Sequence, residues 1–235
     1  MDKTTSDKIL QDLAQTVSTV REAAFRLHDS VGQTYGPDLP YGHHLEMVAS
    51  LVRDHVQEVA ACEEDVLPIL FAAYYHDSIE DARLTYNDVM KTARRYMTDS
   101  QATMAAEIVY ALTNDKGRTR EERAGEKYYA GIRTTPYAPF VKLCDRMANM
   151  AFSASGTDAA NLHMREVYRR EWPHFISQIS VSGPDGRFSL PPSLMAVPFC
   201  EGRGSMQQTR KHHCFLVCCI SGQQALLLLK RRDDE

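Results

Sequence analysis

Apolar residues recur every three or four positions through most of the first 180 residues of the chain. The clearest case is the first, residues 5–29, in which Ile9, Leu13, Val17 and Val20 fall on one side of a helix. This spacing is typical of an amphipathic helix with one buried face. No segment in residues 1–180 shows a convincing period of two, the pattern of a half-buried strand. The pattern therefore predicts an all-α fold.

Glycine, proline and capping residues divide the chain into further helices. The ranges predicted to be helical after the first are 42–60, 64–79, 85–96, 100–112, 120–132, 137–151 and 158–179. Residues 30–40 are a predicted loop, and Thr113 to Gly117 has the composition of a turn. Thr85 and Asp88 resemble a capping box with Asp in place of Glu, and Asp99 or Ser100 is the expected cap of the next helix.

The periodic pattern stops after residue 180. Paired prolines and clustered glycines interrupt residues 181–235, and the one apolar run there, Leu226–Leu229, is too short to build a core. We therefore expect residues 1–180 to form one domain and residues 181–235 to form an irregular, loosely attached C-terminal tail.

Composition excludes several classes of partner. The 235 residues carry a formal net charge of −4, so a broad basic surface for extended nucleic acid is not expected. This net charge is compatible with a local basic cleft that binds one phosphorylated small molecule.

No apolar run is long enough to span a bilayer and no signal peptide is recognisable, which favours a cytoplasmic protein without a membrane partner. The six cysteines lack paired CxxC spacing and are expected to be reduced thiols. Nothing in the composition indicates the oligomeric state.

One segment concentrates ionisable groups at the end of an apolar helix. His76, Asp77, Glu80 and Asp81 follow directly after the apolar run Val66 to Tyr74. Placing these groups beside a core is costly unless a cation or a water-filled cleft compensates for their burial. The alternative is a frayed helix end whose carboxylates point into water.

Two other segments carry residues of the same chemical type. His43 and His44 lie at a predicted helix start, and Asp145 lies one turn before Asn149 in an otherwise apolar helix. A single Asp in a helix is more often solvated. If the three segments meet in space, two imidazoles and two carboxylates would suit manganese, iron or zinc better than calcium. Spacing alone does not show that they meet.

Four motifs in order resemble one known superfamily. They are Tyr41-x-x-His44, His76-Asp77-x-x-Glu80-Asp81, Leu112-Thr113-x-Asp115-Lys116 and Leu143-x-Asp145-Arg146-x-x-Asn149-Met150. Together they resemble the HD-domain phosphohydrolases, and more closely the hydrolase domain of the RelA/SpoT alarmone enzymes and their small single-domain relatives. The resemblance covers roughly residues 20–153 and implies an HD-domain helical bundle.

The resemblance also implies roles for particular residues. The implied metal ligands are His44, His76, Asp77 and Asp145. The implied catalytic carboxylates are Glu80 and Asp81. The implied substrate-binding residues are Lys116, Arg146 and Asn149, joined by Tyr35, which stands where the family has a base-stacking arginine. The implied cofactor is a divalent cation, Mn²⁺ in the first place and otherwise Fe²⁺ or Zn²⁺.

The expected activity is hydrolysis of a phosphorylated nucleotide by a metal-activated water, with a (p)ppGpp-type 3′-pyrophosphate as one candidate substrate. The sequence departs from the family pattern at two positions, with Tyr35 in place of arginine and Leu45 in place of proline. These departures concern specificity for that substrate rather than the hydrolysis itself. The alternative hypothesis is a catalytically silent HD-type module that binds a nucleotide without turning it over. A third hypothesis is a helical scaffold without a site.

Overall fold

The protein is all-α, as predicted from its apolar periodicity. The computed structural model describes residues 1–114, 117–180, 183 and 185–195. Within these residues the only sheet is an antiparallel pair of two-residue strands, β1 (Thr34–Tyr35) and β2 (Leu39–Pro40). The turn between them contains Gly36 at a φ of 66°, a backbone conformation that glycine adopts without strain.

The α-helices follow one another in a bundle. They are α1 (Lys3–Asp12), α2 (Ala14–Ser30), α3 (Gly42–Val59), α4 (Val66–Tyr75), α5 (Tyr86–Ala93), α6 (Asp99–Leu112), α7 (Arg120–Arg123), α8 (Glu126–Thr134), α9 (Ala138–Ser155), α10 (Ala159–Ile179) and α11 (Pro192–Met195). Short 3₁₀ helices cover Glu63–Asp65 and Gly186–Phe188.

Helix α4 is the centre of the core. Every residue of Val66–Tyr75 is buried, as expected for a helix that is apolar on all sides. It packs against α2, α3, α6 and α9, and α3 also packs directly against α9. Because α3, α4 and α9 are in mutual contact, side chains at their ends can converge on one point.

The C-terminal end of the third predicted helix is wrong, because α4 ends at Tyr75 rather than near Ile79. Residues 76–81 continue as turns, held by Ser78 N donating to Tyr75 O (2.9 Å) and Asp81 N donating to Asp77 O (2.8 Å). In a helix, neighbouring residues point about 100° apart. His76 and Asp77 nevertheless approach each other, with His76 Nε2 2.9 Å from Asp77 Oδ2.

Other predicted boundaries also need correction. The first predicted helix is interrupted at Leu13, and the helix predicted over residues 120–132 is two helices separated at Gly125. The N-cap of α6 is Thr98, which forms a capping box with Gln101, so neither Asp99 nor Ser100 is the cap. The capping box of Thr85 and Asp88 at α5 is confirmed.

Part of the predicted tail packs on the helical core. Tyr137 N donates to Arg187 O at 2.7 Å, and Leu194 of α11 is fully buried. Residues 196–235 lie outside the described part of the chain. No helix among the described residues is both long and apolar enough to cross a membrane.

Candidate metal centre

Three buried side chains from distant parts of the chain meet beside α4. One ligand atom from each of His44, His76 and Asp145 lies within 4.8 Å of the other two. His44 Nε2 is 3.2 Å from His76 Nε2 and 3.3 Å from Asp145 Oδ1. The two imidazoles are each only 2% exposed. This group could hold a metal ion.

Asp77 brings a fourth ligand group to the same cluster. Its Oδ2 lies 2.9 Å from His76 Nε2 and 3.6 Å from His44 Nε2. The Asp77 side chain is 20% exposed, more than the other three members, so this side of the cluster is the most open to solvent. The structure therefore brings Asp77 next to the group formed by His44, His76 and Asp145.

The orientation of the imidazoles fits a cation. His76 Nδ1 lies 2.9 Å from Ala73 O, and a proton donated there leaves the Nε2 lone pair directed into the cluster. His44 Nδ1 is buried without a hydrogen-bond partner among the described residues. Its ring is held instead by stacking on Tyr35, with the centroids 4.8 Å apart. Two nitrogens and two carboxylates form a donor set typical of borderline transition ions.

Both carboxylates are oriented by donors outside the cluster. The Tyr41 hydroxyl donates to Asp77. Lys142 Nζ donates to Asp145 Oδ2 at 2.9 Å, and Asn149 Nδ2 donates to Asp145 Oδ1 at 2.6 Å. Such outer contacts fix the direction of a ligand before a metal binds.

The electrostatics of the cluster keep its carboxylates ionised. Burial alone would raise the pKa of Asp77 and of Asp145, but His76 lowers the first and Lys142 lowers the second below the usual range. Burial likewise lowers the pKa of His76, and the adjacent carboxylates outweigh it and raise this pKa to about 9. The two carboxylates therefore keep His76 protonated at neutral pH in the metal-free cluster, and a metal ion that binds its Nε2 must displace that proton.

No protein-family model and no curated protein matches this sequence. Support for a function therefore comes from the geometry of the site and from the four sequence motifs.

The two predicted catalytic carboxylates occupy different surroundings. Glu80 is exposed and accepts from Asn114, whose Nδ2 is 2.9 Å from Oε2 and 3.1 Å from Oε1. Asp81 is half-buried, and burial together with the nearby Asp77 charge raises its pKa. Asp81 is therefore electrostatically coupled to Asp77 in the candidate ligand cluster.

The predicted substrate-binding residues separate into three groups. Tyr35 and Asn149 lie at the cluster, where the Tyr35 hydroxyl donates to Asn149 Oδ1 at 2.9 Å. Arg146 is turned toward α10, where it donates to Glu171 Oε2 at 2.7 Å and lies 4.6 Å above the Phe175 ring. Lys116 lies outside the described residues.

Two residues that orient the ligands were not singled out for that role. Lys142 stands three positions before Asp145, and this spacing is a signal in the sequence. Tyr41 contacts Asp77, which is 36 residues away, so local spacing does not indicate that contact. No feature of the sequence indicates the position of His28 beside Tyr41. It is fully buried, stacks on Tyr41 with centroids 4.7 Å apart, and its contact with Gln33 depends on the fold.

Proposed function

We propose that the protein is a metal-dependent phosphohydrolase that cleaves a phosphoester or pyrophosphate bond of a phosphorylated nucleotide. This proposal rests on the meeting of His44, His76 and Asp145 at one buried point, with Asp77 Oδ2 2.9 Å from His76 Nε2. The motif pattern supports a (p)ppGpp-type 3′-pyrophosphate as the leading substrate class.

The proposed cofactor is one divalent cation, with Mn²⁺ first and Fe²⁺ or Zn²⁺ as alternatives. Mixed imidazole and carboxylate ligands suit these ions. When bound, such a cation polarises a phosphoryl oxygen and lowers the pKa of a coordinated water.

The remaining residues position the substrate and accept a proton. Asp81 is the proposed general base, since its raised pKa makes it a better proton acceptor than an exposed carboxylate. Glu80 lies one residue earlier on the same turn and assists in this role. Tyr35 and Asn149 are the proposed contacts for the nucleobase at the cluster, where the Tyr35 hydroxyl donates to Asn149 and its ring packs against His44 and Phe152.

A panel of phosphorylated nucleotides, incubated with Mn²⁺, tests this proposal by measuring released phosphate or pyrophosphate. We expect activity in the parent and a loss of at least about 100-fold in Asp77→Ala and Asp145→Ala. Asp54→Ala is a matched control, because Asp54 is an exposed carboxylate elsewhere on α3. Equal turnover by the parent, Asp77→Ala and Asp145→Ala would refute the proposal.

The second candidate is a catalytically silent nucleotide-binding module, and one observation favours it. The Glu80 carboxylate is already engaged by Asn114, so it is not free to act in catalysis without breaking those bonds. A nucleotide that raises the melting temperature without yielding product would support this candidate over hydrolysis.

A further inference from the structure

A cleft of about 250 Å³ lies between α1, α2, α3 and α4. Its walls have an apolar part and a polar part. The apolar part is Leu10, Ala14, Val17 and Leu70, and the polar part is Ser18, Arg21, Glu46, Arg53 and Tyr74. None of the four proposed metal ligands lines it, so this cleft is separate from the metal centre.

The polar part carries one more positive than negative charge. Glu46 accepts from Arg21 Nε at 2.7 Å and from Arg53 Nη2 at 2.6 Å. Arg53 Nη1 also donates to the Tyr74 hydroxyl at 2.9 Å. Both contacts are ion pairs, so Glu46 is one carboxylate shared by two guanidinium groups. Two guanidinium groups against one carboxylate leave a local charge of +1.

Arg21 is held in place with most of its donors unused. Its Nε is bonded to Glu46, and its Cζ lies 4.3 Å from the centre of the Phe25 ring. Neither Nη nitrogen makes a hydrogen bond among the described residues, and the side chain is 35% exposed. Glu46 fixes the Nε edge of this guanidinium group and Phe25 covers one of its faces. The two Nη nitrogens are therefore preorganised to donate hydrogen bonds to an oxyanion.

The dimensions of the cleft set the size of the ligand. At about 30 Å³ for each water molecule, the volume corresponds to roughly eight waters. It is smaller than the pockets that hold drug-sized ligands. A single excess positive charge matches a monoanion better than a phosphate dianion, and the apolar wall matches an aliphatic chain or a small ring.

We propose that this cleft is a binding site for a small monocarboxylate bearing a short apolar group. The carboxylate accepts hydrogen bonds from the Arg21 Nη pair, and the apolar group lies against Leu10, Val17 and Leu70. Glu46 lies on α3 two residues after His44, and Tyr74 lies on α4 two residues before His76, so the cleft is built on helices that also position the two candidate histidines.

Thermal melting of the metal-free protein with butyrate and benzoate tests this proposal. Butyramide, benzamide, inorganic phosphate and sodium chloride at equal concentration are the comparison compounds. A carboxylate in tenfold excess over its Kd should raise Tm by roughly 3–6 °C, and the neutral amides should not. Arg21→Gln removes the donor pair. Ala14→Leu places a larger apolar side chain at the exposed edge of the cleft and leaves its charges in place.

Both variants should lose the carboxylate-induced shift. Arg26→Gln is the charge-matched control, because Arg26 lies on the same helix, is 70% exposed and pairs only with Glu22 among the described residues. It should keep the full shift. Equal shifts with the amides or with phosphate, no shift in the parent, or an undiminished shift in Ala14→Leu would overturn the proposal. These measurements require neither metal nor turnover, so their outcome is independent of the proposed hydrolysis.

Discussion

Tyr41 is the residue that links the metal centre to the surrounding core. Its hydroxyl donates to Asp77, and its ring stacks on the buried His28. The first contact directs a ligand, and the second holds the ring that makes the contact. Removing the hydroxyl alone therefore removes the contact that orients Asp77 and keeps the ring packed on His28.

We expect Tyr41→Phe to weaken Mn²⁺ binding by about 10–100-fold, the usual cost of losing a partner that orients a ligand. The fold should survive, because the aromatic ring remains. Titration calorimetry measures the Kd, and circular dichroism checks the fold. Tyr110→Phe, at an exposed tyrosine, is the control. A Kd within twofold of the parent value would contradict this role of Tyr41.

At the residue scale, the sequence allowed the ligand types to be predicted but not the direction of every side chain. The proximity of His44, His76 and Asp145, with Asp77 beside them, agrees with their motifs, which retain residue types that can bind a cation. Arg146 has a suitable residue type as well, yet its guanidinium group bonds to Glu171 on α10. That partner is 25 residues away, so the motif carries no information about it.

At the scale of elements, Glu171 joins α10 to α7 and to α9, the helix that carries Asp145. From α10 it accepts from Arg120 of α7 at 2.8 Å and from Arg146 of α9 at 2.7 Å. Burial raises the pKa of Glu171, but these two arginines outweigh it and lower the pKa. The ionised carboxylate is therefore favoured in the folded state.

Because the pKa of Glu171 is lowered on folding, we expect the stability difference between the parent and Glu171→Gln to depend on pH. A carboxyl group whose pKa falls on folding stabilises the protein above its unfolded pKa, and this contribution disappears as the pH drops through the folded value. Glu171→Gln should lower the free energy of unfolding by roughly 0.5–1 kcal/mol at pH 7. The difference should shrink below about pH 4.3, the ordinary pKa of glutamate.

Urea unfolding of parent and variant at several pH values measures this difference. Glu166→Gln is the control on the same helix, since the Glu166 side chain is 69% exposed and pairs with Arg169. A difference that stays constant from pH 7 to pH 3.5 would show that the Glu171 charge does not stabilise the fold.

Helix existence could be predicted from periodicity, whereas several helix ends could not. The end of α4 at Tyr75 is the instructive case, because residues 76–81 are compatible with a helix by composition. The turns there are fixed by contacts such as Leu84 N donating to Ser78 O, which require the following segment to fold back. Local sequence does not encode that constraint.

At the scale of the whole molecule, three packed helices build the site. Helices α3 and α9 each carry one ligand, and the turn after α4 carries two. An all-α fold followed from the repeated three-to-four spacing of apolar residues. The meeting of the three segments did not, because spacing within each helix contains no information about which helices pack together.

The central claim is that His44, His76, Asp77 and Asp145 hold one divalent cation. Metal analysis of protein purified without chelator and then equilibrated with Mn²⁺ tests it most directly. His43 provides a matched control, since it is the adjacent imidazole on α3 and contacts Tyr35 and Phe152 instead of the cluster. The parent and His43→Ala should each bind one equivalent of Mn²⁺, and His44→Ala should bind at least tenfold more weakly. No bound metal in the parent, or equal binding by His44→Ala, would contradict the account.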